Sequence, residues 1–447
     1  MIGAILGSAL FRMAALLGIL AALVRLRVRI GRVLAAAPAV AALLFWRPGF
    51  GGGLARGVTK DGGAFLFDTA ALVALIALID IFGRLLKRTE RLPRLMRALL
   101  ALFADGRAAL AGMPCVIGLL PMPGGAMVSA PMVEEIARES GAAVSAEDKT
   151  LVNYWFRHVW EYIFPVYPAV LAAAAIWGID TAELAGRQLV LTFAMAAAGL
   201  VFILRRVPPL AARRSPGGER EGDDARAPTT RAGHLRAVAA GLAPIAAVLA
   251  LWWALRLIGP AGYALVGWKP WDRASLCVSL VAAILAIAVL ARVPRSWMLE
   301  RVRSCMPLDM LLLMVGAMLF KEVVAASGAV GLLRNELDRL GAPTALVIFL
   351  LPFAAGILTG IAVAYVTVAF PLLAGLVALP GGPDPAATVL AFAAGYMGVL
   401  LSPVHICLVL TREYFDADIA KVYARLLLPV AAMLAVALTV YFTETLL

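Results

Sequence analysis

Long apolar runs alternate with short polar joints along the whole chain. Ten runs read as membrane spans, at roughly 1–23, 31–46, 64–83, 150–177, 184–204, 236–258, 273–291, 306–326, 386–411 and 422–444. A helix rises about 1.5 Å per residue, so about 17–25 apolar residues cross the hydrocarbon layer. Two further stretches, about 98–137 and 341–378, are too long for one span and are broken in the middle. Pro121, Pro123, Gly124 and Gly125 interrupt the first, and Gly356 and Gly360 interrupt the second. Such a pattern predicts a re-entrant hairpin, a helix that enters, turns and leaves on one side. Irregular backbone at that depth must be buried in protein or line a water-filled cavity.

Between 205 and 236 the apolar pattern lapses into Arg, Pro, Gly and Asp, which predicts a flexible linker over 207–235. The elements before it, in 1–206, recur after it, in 236–447, at an offset of about 240 residues. Span 64–83 maps onto 306–326, stretch 98–137 onto 341–378, and 184–204 onto 422–444; Pro131 falls on Pro371. With each broken stretch as a hairpin, each half crosses five times. An odd number inverts one half relative to the other. The fold class expected is therefore an all-α polytopic membrane protein made of two inverted five-span halves. Each half holds a re-entrant hairpin and a broken transmembrane helix.

Composition agrees with this class: 63% of the 447 residues are hydrophobic and the mean hydropathy is +0.92. A membrane β-barrel would show short alternating segments instead. The net charge of +12 sits in the joints between apolar runs, where it sets topology rather than binding nucleic acid. The richest basic joints are Arg25–Arg32, Arg84–Arg97 and the linker, with eight Arg between Arg205 and Arg236. That places the linker in the cytoplasm and both termini outside. Cys115, Cys277, Cys305 and Cys407 show neither metal-ligand spacing nor a disulfide framework and read as small core residues.

The candidate chemistry lies at the breaks. Tandem glycines at the first tip, Gly124 and Gly125 after Pro123, let backbone N–H groups approach a ligand. The returning half-helix begins near Ala126 with Ser129 on its first turn, and its positive end favours an anion. The second tip lies near Thr359-Gly360, or later towards Tyr365 and Thr367. Span 150–177 carries Asn153, Arg157 and Glu161 at intervals of four, hence on one helical face, with His158 beside them and Pro165 and Pro168 as kinks. A planar guanidinium at Arg157 suits a carboxylate, although Arg157 and Glu161 could equally neutralise each other. In span 386–411 the break Ser402-Pro403-Val-His405 frees a carbonyl one turn back. Of three histidines, His234 lies in the linker, while His158 and His405 lie in corresponding spans. Because imidazole titrates near neutral pH, His158, Glu161 and His405 are candidate proton carriers. Asp68, Asp80, Asp309, Lys321 and Glu322 read as span ends or interhelical ties.

The run Gly118-Leu-Leu-Pro-Met-Pro-Gly-Gly-Ala-Met-Val-Ser-Ala-Pro-Met-Val-Glu-Glu135, with Asn153-Tyr-Trp-Phe-Arg-His-Val-Trp-Glu-Tyr162 and Leu401-Ser-Pro-Val-His405, resembles a prokaryotic integral membrane family. That family is known as domain of unknown function 401 and is grouped with the ion transporter superfamily. The resemblance covers nearly the whole chain. It implies a scaffold domain, a transport domain with two opposed hairpins, elevator-like motion, a homodimer and residence in the prokaryotic inner membrane. The Ser-Asn-Thr tip signature of the sodium-dependent dicarboxylate branch is missing from both tips of this chain.

Together these readings lead to a secondary transporter for a small, carboxylate-type anion, coupled to H+ or Na+ and needing no other cofactor. Its expected partners are the bilayer and the solute. The solute-binding set is Pro123, Gly124, Gly125, Ser129, Asn153, Arg157, Thr359, Gly360, Thr367, Ser402 and Pro403, and the proton-coupling set is His158, Glu161 and His405. Two other readings compete. An intramembrane enzyme would need a metal motif such as His-Glu-x-x-His, which is missing, or a set joining Ser129, His158 and Glu161. A purely structural membrane protein has no use for costly charges inside the bilayer.

Overall fold

A computed structural model describes residues 8–59, 64–89, 91–103, 105–120, 125–210, 230–259, 271–305, 308–380 and 382–446. Their regular structure is helical except for one two-residue strand pair, Ala378–Leu379 with Gly382–Pro383. Six helices among them are long and apolar enough to cross a membrane: Phe65–Arg88, Leu189–Arg206, Arg231–Leu257, Trp271–Leu290, Leu308–Ser327 and Ile419–Glu444. In Arg231–Leu257 only 17% of the most apolar window is buried within the protein. A helix that is apolar all round yet exposed needs lipid as its solvent. The chain is a multi-pass membrane protein.

Several helices pair with one another: Ile30–Leu44 packs on Leu308–Ser327, Ala64–Arg88 on Trp271–Leu290, and Arg91–Leu102 on Arg231–Leu257. A further set is short: Gly106–Ile117, Ala126–Glu139, Ala146–Arg157, Pro168–Trp177, Thr344–Thr359, Ala362–Leu373, Pro385–Leu400 and Ile406–Phe415. Ala169–Trp177 and Ala386–Leu400 are buried at every position. These are the segments whose apolar faces point nowhere in sequence, because every face meets protein.

Several expectations shift by a few residues. The first long stretch does not start as a hairpin at 98. Arg91–Leu102 is a separate helix, and Asp105 caps a new one by accepting from the Arg107 amide. The helix after the linker already begins at Arg231, capped by Thr230, so 231–235 is helical; residues 211–229 lie outside the described set. The first span is helical over Ala9–Arg25, and residues 1–7 also lie outside the described set.

Asp68 is an interhelical tie: its Oδ1 accepts from Arg273 Nη1 at 2.6 Å, joining Ala64–Arg88 to Trp271–Leu290. Asp80 pairs within its own helix with Arg84, and Lys321 reaches the Ala175 carbonyl at 3.3 Å. Asp68→Leu would leave the Arg273 guanidinium buried without its carboxylate. The expected cost is about 3 kcal/mol, the low end for a broken buried pair, because Asp68 is a quarter exposed. Asp68→Leu with Arg273→Met is expected to recover most of it. Melting temperatures in detergent check this, and a double variant no better than the single one refutes it.

Candidate functional site

Gly106–Ile117 ends at Gly118, which lies directly against the end of Ala146–Arg157. A Cβ on Gly118 would sit 2.2 Å from the Arg157 carbonyl oxygen, so the approach requires glycine. Two side chains clamp this contact. Tyr167 donates its hydroxyl to the Gly118 carbonyl, and Trp160 Nε1 donates to the Cys115 carbonyl at 2.9 Å. The tip residues 121–124, including the candidates Pro123 and Gly124, lie outside the described residues. Gly125 is described, and a Cβ there would meet the Arg157 guanidinium at 2.6 Å.

From Gly125 the returning helix Ala126–Glu139 starts where the sequence places it. Ser129, on its first turn, donates to Asn153 Oδ1 at 2.6 Å. Asn153 Nδ2 in turn donates to the Ala126 carbonyl at 3.0 Å and to Thr411 Oγ1 at 3.3 Å. Ser129, Asn153 and Thr411 therefore hold three helices together, two from the first half of the chain and one from the second.

The span expected to be broken over 150–177 is interrupted from His158 onward, ahead of its prolines. Its α-helix stops at Arg157, a 3-10 turn covers Val159–Tyr162, and Pro168 starts the next helix. Asn153, Arg157 and Glu161 thus do not share one continuous helical face. Arg157 Nη1 still meets Glu161 Oε1 at 3.6 Å. Side-chain exposure is 3% for Arg157 and 12% for Glu161, so the pair lies inside the protein.

The second hairpin turns at Gly360-Ile361, between Thr344–Thr359 and Ala362–Leu373. Gly360 is left-handed, with φ +62°, and its Cβ would meet the His405 amide and Ser402 Oγ at 2.9 Å. Ser402 Oγ donates to the Ile357 carbonyl at 2.6 Å, which ties the break at 401–405 to this tip. Three other solute candidates lie elsewhere. Thr367 sits well past the turn, buried, with its hydroxyl bonded to the carbonyls of Val363 and Ala364. Thr359 bonds Ala355 of its own helix and lines an apolar crevice with Leu17, Leu20 and Val33. Pro403 is exposed.

The two broken spans meet at their histidines. His158 Nδ1 lies 2.5 Å from the Tyr154 carbonyl oxygen, and His405 Nδ1 lies 2.6 Å from the Gly360 carbonyl oxygen. The remaining ring nitrogens, both Nε2, face each other at 3.3 Å, and His158 Nε2 is 3.7 Å from Glu161 Oε1. Tyr154 and Tyr396 wall this centre. The Tyr154 ring stands edge-on to His158, and its hydroxyl donates to the Leu400 carbonyl at 2.9 Å. Tyr396 donates to the His158 carbonyl at 3.4 Å. The cluster Arg157, His158, Glu161 and His405 is thus assembled from the two broken spans, with Gly125 and Gly360 packed against it.

Sequence reasoning did not single out Gly118, Thr411, Tyr154, Tyr396 or Cys407. Tyr154 lies one turn before His158, which was the available signal; Tyr396, six residues before Ser402, offered none. Cys407 was grouped with the core cysteines, yet its Sγ and the two histidine donor atoms all lie within 4.8 Å of one another. The signal for it was the spacing His405-x-Cys407 at the start of Ile406–Phe415.

A comparison with curated proteins gives no match. The model of one family, described as protein of unknown function (DUF401), matches residues 66–216 and 273–443. The first block holds the first hairpin and its broken helix; the second holds their counterparts. Those two blocks cover most of the chain, both carry the elements that build the charged centre, and the protein belongs to the DUF401 family.

Proposed function

We propose that the protein is a secondary active transporter of a small, carboxylate-type anion, driven by a proton or sodium gradient in a prokaryotic inner membrane. One observation carries this reading. The Arg157 guanidinium lies against Gly125 at the N-terminus of the half-helix Ala126–Glu139, inside the protein. Fixed positive charge and a positive helix end converge where two chain breaks meet, and both favour an anion. Glu161, 3.6 Å away, is the charge that an arriving carboxylate would displace.

The order of helices adds support. Between Ala64–Arg88 and the long helix beginning at Leu189, each α-helix except the short Thr181–Arg187 has a counterpart about 240 residues later. An inverted pair of halves, with a transport domain moving against a scaffold, is the arrangement that this order suits. An intramembrane hydrolase fits less well. Ser129 gives its hydroxyl hydrogen to Asn153 rather than to His158 or Glu161.

Uptake into proteoliposomes tests the proposal. A panel of mono- and dicarboxylates, amino acids and oxyanions is offered under a sodium gradient or a pH gradient. Accumulation of one anion that collapses with its gradient is expected. Equal filling of empty and protein-containing vesicles for every solute would overturn it.

A further inference from the structure

We infer that His158, His405 and Cys407 form a binding site for a transition-metal cation of the zinc class. The inference does not depend on the transport reading. A neutral imidazole has one N–H. His158 and His405 each direct Nδ1 at a backbone carbonyl, at 2.5 and 2.6 Å, and a carbonyl oxygen can only accept. Each N–H is therefore spent, and each Nε2 carries a lone pair. Those two lone pairs face one another at 3.3 Å inside the protein, with both rings buried. Two converging lone pairs repel unless an electrophile lies between them.

The spacing suits a metal ion. With metal–nitrogen bonds of about 2.0–2.1 Å, the nitrogen–nitrogen edge of a tetrahedral site is about 3.3 Å. The buried thiol of Cys407 completes three donors, all within 4.8 Å of one another. Glu161 Oε1, 3.7 Å from His158 Nε2, stands at the next position, where it or a bound carboxylate could supply a fourth oxygen. The anchoring is also what metal-bound histidines show, since ligating imidazoles commonly give their other N–H to a carbonyl, which fixes tautomer and ring orientation. Imidazole and thiolate donors select zinc, cobalt, nickel or copper over sodium, magnesium or calcium. On binding, the Cys407 thiol gives up its proton to solvent and the sulfur forms the metal bond.

The ion would also join the two halves. His158 follows the helix Ala146–Arg157, and His405 and Cys407 flank the start of Ile406–Phe415, more than 240 residues later. A proton shared between the two Nε2 atoms would claim the same lone pairs, so the proton-relay expectation and the metal site exclude each other.

The test uses the full chain, purified in detergent without a polyhistidine tag. Metal content is measured after dialysis against zinc, and cobalt is titrated into chelator-treated protein. About one equivalent per chain is expected, with the cobalt form showing thiolate-to-metal charge-transfer absorption. Cys407→Ser, which keeps the side-chain volume, should abolish that absorption and weaken binding at least about tenfold. His405→Gln should weaken it similarly, and His234→Ala should leave it unchanged. Monodisperse protein that binds no zinc or cobalt would overturn the inference. So would metal binding that survives both Cys407→Ser and His405→Gln, or a nitrogen resonance pattern showing one proton shared by the two rings.

Discussion

Arg157→Ala is expected to abolish solute uptake. Removing a buried cation from an anion site costs about 2–5 kcal/mol, or about 30- to several-thousand-fold in binding. Arg157→Lys is expected to fail nearly as badly, because an ammonium cannot match the two-point grip of a guanidinium. The variant also strands Glu161 inside the protein, so loss of uptake alone does not separate ligand binding from folding. The double variant Arg157→Ala/Glu161→Gln does. It removes both charges of the pair seen at 3.6 Å, so its melting temperature should return towards the parent value while uptake stays lost. Uptake restored in the double variant would show that Arg157 serves only to neutralise Glu161, and the anion site would then have to be sought elsewhere.

Gly356→Val is expected to prevent assembly of the second hairpin. Thr344–Thr359 and Pro385–Leu400 cross with their backbones in contact. A Cβ on Gly356 would lie 2.2 Å from the Gly395 carbonyl oxygen, and one on Gly398 would lie 2.2 Å from the Phe353 carbonyl oxygen. Neither neighbour is a side chain that can swing away. Small residues at such crossings let membrane helices gain dispersion contacts that lipid would otherwise compete for. Gly356→Ala should cost at least about 1–3 kcal/mol, and the larger valine should leave little monodisperse protein. Gly186→Ala is the matched control. It sits in the helix Thr181–Arg187 with nothing near its Cβ position, so the change should be neutral or stabilising by up to about 1 kcal/mol. Melting temperature and elution profile read all three. Equal behaviour of Gly356→Ala and Gly186→Ala would refute the crossing argument.

Much of this architecture was legible in the chain because the bilayer imposes length and polarity on each span. Runs such as 236–258 and 273–291 read directly as helices, since a lipid-facing helix must be apolar all round. The break at Ser402-Pro403 and the half-helix start at Ala126 were equally visible, because proline and tandem glycine act locally on backbone geometry. The second turn was narrowed only to a region. Gly360 and the polar residues after it offered similar local signals, and the choice was made by Ser402 and His405 packing on Gly360. Thr367 looked like a site residue by polarity, but a threonine inside a buried helix satisfies itself on the carbonyls of its own preceding turn.

The sequence by itself determined the class, the spans, the places where helices break and the few charged residues left at membrane depth. Each of these follows from local chemistry: apolar length, missing N–H groups, absent Cβ atoms, unscreened charge. Only the tertiary structure decided which breaks meet. His158 and His405 lie far apart in the chain, and nothing in either segment encodes that their Nε2 atoms should come within 3.3 Å. That distance is set by two backbone carbonyls, by Gly118 and Gly360 admitting close approach, and by the Ser129–Asn153–Thr411 link between halves. Cys407 gained its interest in the same way, because a cysteine in an apolar run is a core residue until folding places two imidazoles beside it.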